Sequence, residues 1–281
     1  LCLPLEIEDY QVQPMADASP PKWHLAHVTW FFETFVLAKF SPNYQVFKPS
    51  YHHLFNSYYN GVGSAFPRDS RGHLSRPTVA EIYEYRKHID EGVLNLLETS
   101  SNPEITFRVT LGLHHERQHQ ELLLTDVKYN FGNNPLLPQY CKKTDKNLVK
   151  PTPQNWIEFK GGITEIGADF SRGFIFDNEA PRHRAFLAPY HLSSRLVTNG
   201  EFLEFIRDGG YERHEFWLSD AWAHLKSLGQ NRWKHPLYWY EEDGALFEYT
   251  LQGARQLDLE APLCHVSAYE ADAFSRWKGA R

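Results

Sequence analysis

Apolar residues recur at helical spacing through the first half of the chain and fall into short runs through the second. Asp17-Ala18-Ser19-Pro20-Pro21 is a helix start, with capping residues followed by prolines suited to a first turn. Trp23, Ala26, Trp30, Phe31, Thr34, Phe35 and Leu37 then repeat at helical spacing to about Phe40. Residues 41–77 are turn-rich, with Asn60-Gly61, Gly63, Pro67 and Gly72. Thr78-Val79-Ala80-Glu81 forms a capping box that opens a second helix, striped by Ile82, Tyr85, Ile89, Val93, Leu96 and Leu97. A third helix is predicted from about Pro103 to Phe131. Three or four long helices imply a bundle, and bundles hold metal sites between facing helices.

The pattern changes after about Asn134. Pro135, Pro138, Pro151 and Pro153 bracket a lysine-rich polar stretch, Lys142 to Lys150, that reads as a linker. Beyond it, Trp156–Phe159, Thr164–Ile166 and His183–Leu187 read as strands, punctuated by Gly161-Gly162 and Gly167. A helix follows Thr198-Asn199-Gly200-Glu201 and another surrounds Ala268–Trp277. This half is α+β.

Composition narrows the function class. At 42% hydrophobic residues the chain builds a real core, and its net charge of −6 with no basic stripe argues against nucleic acid as a partner. Cys2, Cys141 and Cys264 are far apart and odd in number, which speaks against a disulfide scaffold or a cysteine zinc site and favours a reducing compartment. No apolar run approaches a membrane span, and no signal peptide opens the chain, so a cytoplasmic protein with no membrane partner is expected. Leu1 in place of Met, and an end at Arg281 directly after a helix, read as the cut ends of a fragment.

The chemistry concentrates in Leu113-His114-His115-Glu116-Arg117-Gln118-His119-Gln120-Glu121. His115 and His119 stand one turn apart and project from one face, which lets two imidazoles share a metal. His114 is rotated about 100° away. A second histidine-bearing helix offers His24 and His27, which spacing alone does not separate. His115-Glu116-x-x-His119 also matches the zinc-protease pattern, but no downstream His or Glu motif completes it.

These residues resemble the EgtB-type hercynine oxygenases, iron-dependent ergothioneine sulfoxide synthases. The resemblance is carried by Ser19-Pro-Pro-Lys-Trp-His-Leu-Ala-His27, Trp30-Phe-Phe-Glu-Thr-Phe35, Leu54-Phe-Asn-Ser-Tyr-Tyr-Asn-Gly-Val-Gly63 and Leu113–Leu122. Val197-Thr-Asn199, Asp208-Gly-Gly-Tyr211 and His265-Val-Ser-Ala-Tyr-Glu-Ala271 carry it through the second half. It implies a DinB-like four-helix bundle over residues 1–140, followed by part of a sulfatase-modifying-factor (C-type-lectin-like) domain over 151–281.

It further implies an Fe(II) centre on His27, His115 and His119. The partners would be hercynine, cysteine or γ-glutamylcysteine, and O2, joined into a sulfoxide. Tyr58 and Tyr59 would serve the oxygen chemistry, as in the cysteine-using branch. Arg68 and Arg71 would anchor the thiol substrate, which suits a guanidinium fork meeting a carboxylate. Gln118 would touch hercynine. Glu116 and Glu121 fit either as partners that orient imidazoles or as surface ion pairs. The family continues past Arg281 with a segment that helps build the hercynine pocket, so this fragment is expected to bind iron but to turn over hercynine poorly. The isolated Cys264 does not support formylglycine generation. A DinB-type zinc-dependent thiol transferase, an ovothiol-type histidine–cysteine sulfoxide synthase and a lectin-like binding module remain alternatives.

Overall fold

The computed structural model describes residues 1–59, 61–142 and 150–281; Asn60 of the expected turn and most of the expected linker, residues 143–149, lie outside them. The chain divides into two compact units, Leu1–Lys143 with Leu251–Gly253, and Thr144–Thr250 with Ala254–Arg281.

Three long helices dominate the first unit. Helix α1 (Pro21–Phe32) packs on both α2 (Val79–Thr99) and α3 (Pro103–Gly132). The capping box expected at the start of α2 is present: Thr78 Oγ1 accepts from Glu81 N, and Glu81 reaches back to Thr78 N at 2.8 Å. Asn102 caps α3 by accepting from Glu104 N at 3.0 Å. The remaining helical structure is short, as at Tyr51–Leu54.

Helix α1 does not run unchanged to Phe40 as its periodicity predicts. Residues Glu33–Leu37 form a π turn, followed by one α turn at Ala38–Phe40. The residue that opens the π turn explains its fixed place. The Glu33 carboxylate is buried and accepts from Tyr44 Oη (2.8 Å), Phe47 N (2.7 Å) and Tyr85 Oη. A buried carboxylate needs such donors, and these three come from outside α1, where helical periodicity has no view of them.

Trp30, Val36, Leu37, Ile82, Tyr85 and Ile89 form the centre of the first core. Gly112 sets the approach of α1 to α3. A Cβ there would lie 2.5 Å from the Phe32 ring and 3.1 Å from the Phe31 ring. Its bare backbone lets the helix carrying His27 close on the helix carrying His115 and His119.

The second unit is α+β. Strand β1 (Trp156–Phe159) pairs antiparallel with β4 (Tyr190–Ser193), and β2 (Gly162–Ile166) with β3 (His183–Leu187). Strand β5 (Trp239–Glu242) pairs with β6 (Ala245–Thr250) through Asp243-Gly244, both at positive φ, as a tight hairpin turn requires. Helices α4 (Asn199–Arg207), α5 (Ser219–Ser227) and α6 (Ala268–Trp277) bury Phe202, Phe205, Ala221, Leu225 and Phe274 together with Tyr211 and Trp217. Among the described residues, no helix is long and apolar enough to cross a membrane.

Candidate metal centre

His27 lies inside α1 and is 1% exposed. Trp23, four residues earlier, stacks on its ring at 4.6 Å between centroids, and Trp30, three residues later, at 5.6 Å. Its Nδ1 lies 2.6 Å from the carbonyl oxygen of Phe55. A carbonyl only accepts, so Nδ1 carries the proton and Nε2 keeps its lone pair for a ligand.

From α3, His115 and His119 project toward His27, with ring centroids 5.0 and 4.7 Å from it. One ligand nitrogen from each of the three histidines lies within 4.8 Å of the others. His114 is not part of this cluster. Both ring nitrogens of His115 are buried without a hydrogen-bond partner. Burying two such atoms unpaired is costly, and a shared cation relieves the cost.

The electrostatics agree with a ligand set. Burial holds the His27 imidazolium acidic, at about 3, and likewise His115 at about 4 and His119 at about 2. Each ring is therefore neutral near pH 7, the state in which imidazole binds metal. Donor number, neutrality and burial fit a divalent transition metal. Three imidazoles alone suit iron, zinc or nickel alike.

Two groups predicted for substrate chemistry border the histidines. Tyr59 is half-buried, with its ring 6.5 Å from that of His27 and 5.7 Å from that of Trp30. Burial pushes its phenol up to about 12, so the hydroxyl keeps its proton. Its loop is pinned by buried Asn56, whose Nδ2 donates to the carbonyl oxygens of Gly63 (2.9 Å) and Tyr59 (3.4 Å). The guanidinium of Arg71 lies 3.3 Å over the Trp23 ring and donates to Ser19 Oγ at 2.8 Å. Arg71 is only 4% exposed and its Nε has no partner. Burial, aided by the charge of Arg68, lowers its pKa to about 9.

The other predicted residues lie outside this enclosure. Tyr58 stacks on Tyr59 at 5.0 Å but is 73% exposed. Arg68 and Gln118 are exposed. Glu116 pairs with Arg86 of α2 at 3.1 Å, a largely buried contact between helices rather than a pair on the surface of α3, and Glu121 is exposed.

Sequence reasoning offered His24 only as a rival to His27 and missed Asp126. His24 Nδ1 lies 3.0 Å from His119 Nδ1, and His24 Nε2 lies 2.9 Å from Asp126 Oδ2. The signal was present: Asp126 follows His119 by seven residues, two helical turns along one face.

Comparison with known proteins agrees with this organisation. Residues 1–123 match the DinB superfamily and residues 142–281 match the sulfatase-modifying factor enzyme 1-like domain. The chain is thus a DinB-like helical domain followed by a sulfatase-modifying-factor domain. It is 27% identical to a hercynine oxygenase of Mycolicibacterium smegmatis over 94% of this chain and 58% of that protein. With a hercynine oxygenase of Mycolicibacterium thermoresistibile the identity is 26%, over 99% of this chain and 60% of the relative. The chain therefore spans about three fifths of the curated hercynine oxygenases it matches. A formylglycine-generating enzyme of Streptomyces coelicolor is 28% identical over 44% of this chain.

Proposed function

We propose that this chain, homologous to the EgtB-type hercynine oxygenases along nearly its whole length, serves an Fe(II)- and O2-dependent sulfoxide synthesis. The reaction joins hercynine to cysteine or γ-glutamylcysteine. One aryl C–H, one thiol S–H and one O2 give the carbon–sulfur bond, the sulfoxide oxygen and one water. What carries the reading is one observation: a buried, neutral, all-histidine ligand face bordered by a protonated phenol, Tyr59, and a buried guanidinium, Arg71.

His27, His115 and His119 would hold the ferrous ion, which supplies the oxygen-dependent redox chemistry when bound. Tyr59 holds a proton at its Oη beside the site, available as a hydrogen-bond or proton donor. Tyr58, stacked on it from the solvent side, completes the tyrosine pair. Arg71 offers a positive charge with an unpartnered Nε, suited to a substrate carboxylate, and Arg68 adds a second guanidinium on the same loop. Trp23 and Trp30 exclude water around His27. Gln118 is assigned to hercynine recognition on the ground of the resemblance.

The test is anaerobic loading with Fe(II), then oxygen consumption with hercynine and each thiol, alone and together. Oxygen uptake that needs hercynine and a thiol, with cysteine preferred over γ-glutamylcysteine at equal concentration, is the expected result. Tight zinc binding with thiol transfer and no oxygen uptake would instead support the zinc-dependent transferase.

A further inference from the structure

His24 is buried, lies one turn before the ligand His27, and has both ring nitrogens engaged. Asp126 Oδ2 accepts from the backbone N–H of Ser19 at 2.8 Å and lies 2.9 Å from His24 Nε2. His24 Nδ1 lies 3.0 Å from His119 Nδ1. The protons in this chain are constrained. An ionised carboxylate only accepts, so His24 Nε2 carries a proton. Across the Nδ1–Nδ1 contact one ring donates and the other accepts. With His24 Nδ1 as the acceptor, His119 donates from Nδ1 and its Nε2 keeps a free lone pair.

We propose that His24 and Asp126 are positioning residues that fix the tautomer and ring orientation of His119, so that Nε2 is presented to the metal. The proposal rests on the metal reading given above. The three ligands would then be oriented in three ways. A backbone carbonyl, Phe55 O, sets His27. A side-chain relay sets His119. His115 makes no hydrogen bond through either nitrogen and is held by packing, its ring 4.7 Å from Phe31. Of the two hydrogen-bonded devices the relay is the one that substitution alters without touching a ligand or the backbone.

The polarity of the relay separates positioning from space filling. Gln at position 24 offers an amide oxygen to accept from His119 and an amide N–H to donate to Asp126, so it reproduces the direction of both bonds. Leu fills similar volume and reproduces neither. The experiment uses the full chain and two readouts: nitrogen NMR of the imidazoles in metal-free protein near neutral pH, and Fe(II) affinity under anaerobic conditions. Wild-type protein should show His119 protonated at Nδ1. His24→Leu should lose that single tautomer and bind Fe(II) about 10- to 100-fold more weakly, the usual effect of removing a partner behind a metal ligand. His24→Gln should restore both readouts toward wild type, and Asp126→Ala should weaken both. Thermal melting checks the fold; if His24→Leu does not fold, His24→Gln against Asp126→Ala carries the same comparison.

Three results would overturn the proposal: wild-type His119 protonated at Nε2, affinity unchanged in the folded variants, or Gln no better than Leu. Failure of the wild-type chain to bind Fe(II) at all would instead sink the metal reading, whatever the tautomer.

Discussion

In the first unit aromatic side chains enclose polar groups; in the second they mostly enclose one another. Trp23, Trp30, Phe31 and Tyr59 surround three histidines. Phe202, Phe205 and Phe274 pack ring against ring, with Trp217 in the same core. The strands of the second unit also leave large apolar residues in solvent, with Ile163 62% and Phe186 74% exposed. An aromatic surplus in a composition therefore has two different uses here. It makes a dry, low-dielectric wall around imidazoles in one unit and an ordinary hydrophobic core in the other.

The largest effect that would sharpen this contrast is loss of metal. His115→Ala removes one of three ligands and should abolish stoichiometric iron binding, while His114→Ala, one residue away, should bind normally. Metal analysis after gel filtration checks both; loss in His114→Ala alone would break the assignment. Next comes Phe202→Ala in the other unit. Truncating a fully buried Phe costs about 3–5 kcal/mol, so the second unit's unfolding transition should drop sharply while iron stoichiometry stays at the wild-type value. A loss of iron in that variant would contradict a metal site held by residues of the first unit alone.

Gly112→Ala is a smaller perturbation that strikes the first unit's geometry. The added Cβ would lie 2.5 Å from Phe32, and forced overpacking costs about 1–3 kcal/mol. Stability and iron affinity should fall together, since the same contact sets the helix approach and the ligand spacing. Calorimetry and metal titration on one sample would show whether they do.

The mildest test is pH. Burial holds His27, His115 and His119 well below the ordinary 6.5 of an unfolded chain. As pH falls below about 6.5, the unfolded chain takes up protons that the folded metal-free unit refuses, so stability declines toward the folded values of about 4 for His115, about 3 for His27 and about 2 for His119. Above that range this contribution is fully present. Denaturant midpoints of metal-free protein should therefore fall between about pH 7 and about pH 5; a flat or rising profile would contradict neutral burial of the rings.

Local features were legible in the sequence, and long-range ones were not. The boxes at Thr78–Glu81 and Thr198–Glu201 are four-residue patterns whose bonds form wherever a helix starts there. The His115–His119 pair is fixed by helical pitch alone. His24 and His27 share a helix, so pitch did not choose between them, and the resemblance to known enzymes did. In the structure the two face different partners: His27 Nδ1 faces Phe55 O, and His24 Nε2 faces Asp126. The π turn and the close approach at Gly112 likewise depend on side chains from other elements. Gln118 sits between His115 and His119 in sequence yet is exposed, because its position on the helix turns it away from the face they share.

The central claim is that one metal ion sits on three imidazoles of the helical unit. X-ray absorption at the iron edge of the anaerobically loaded full chain tests it most directly. One ion per chain, with scattering from three imidazole ligands, is the expected result. Sulfur in the first coordination sphere, or fewer than three imidazoles, would contradict it.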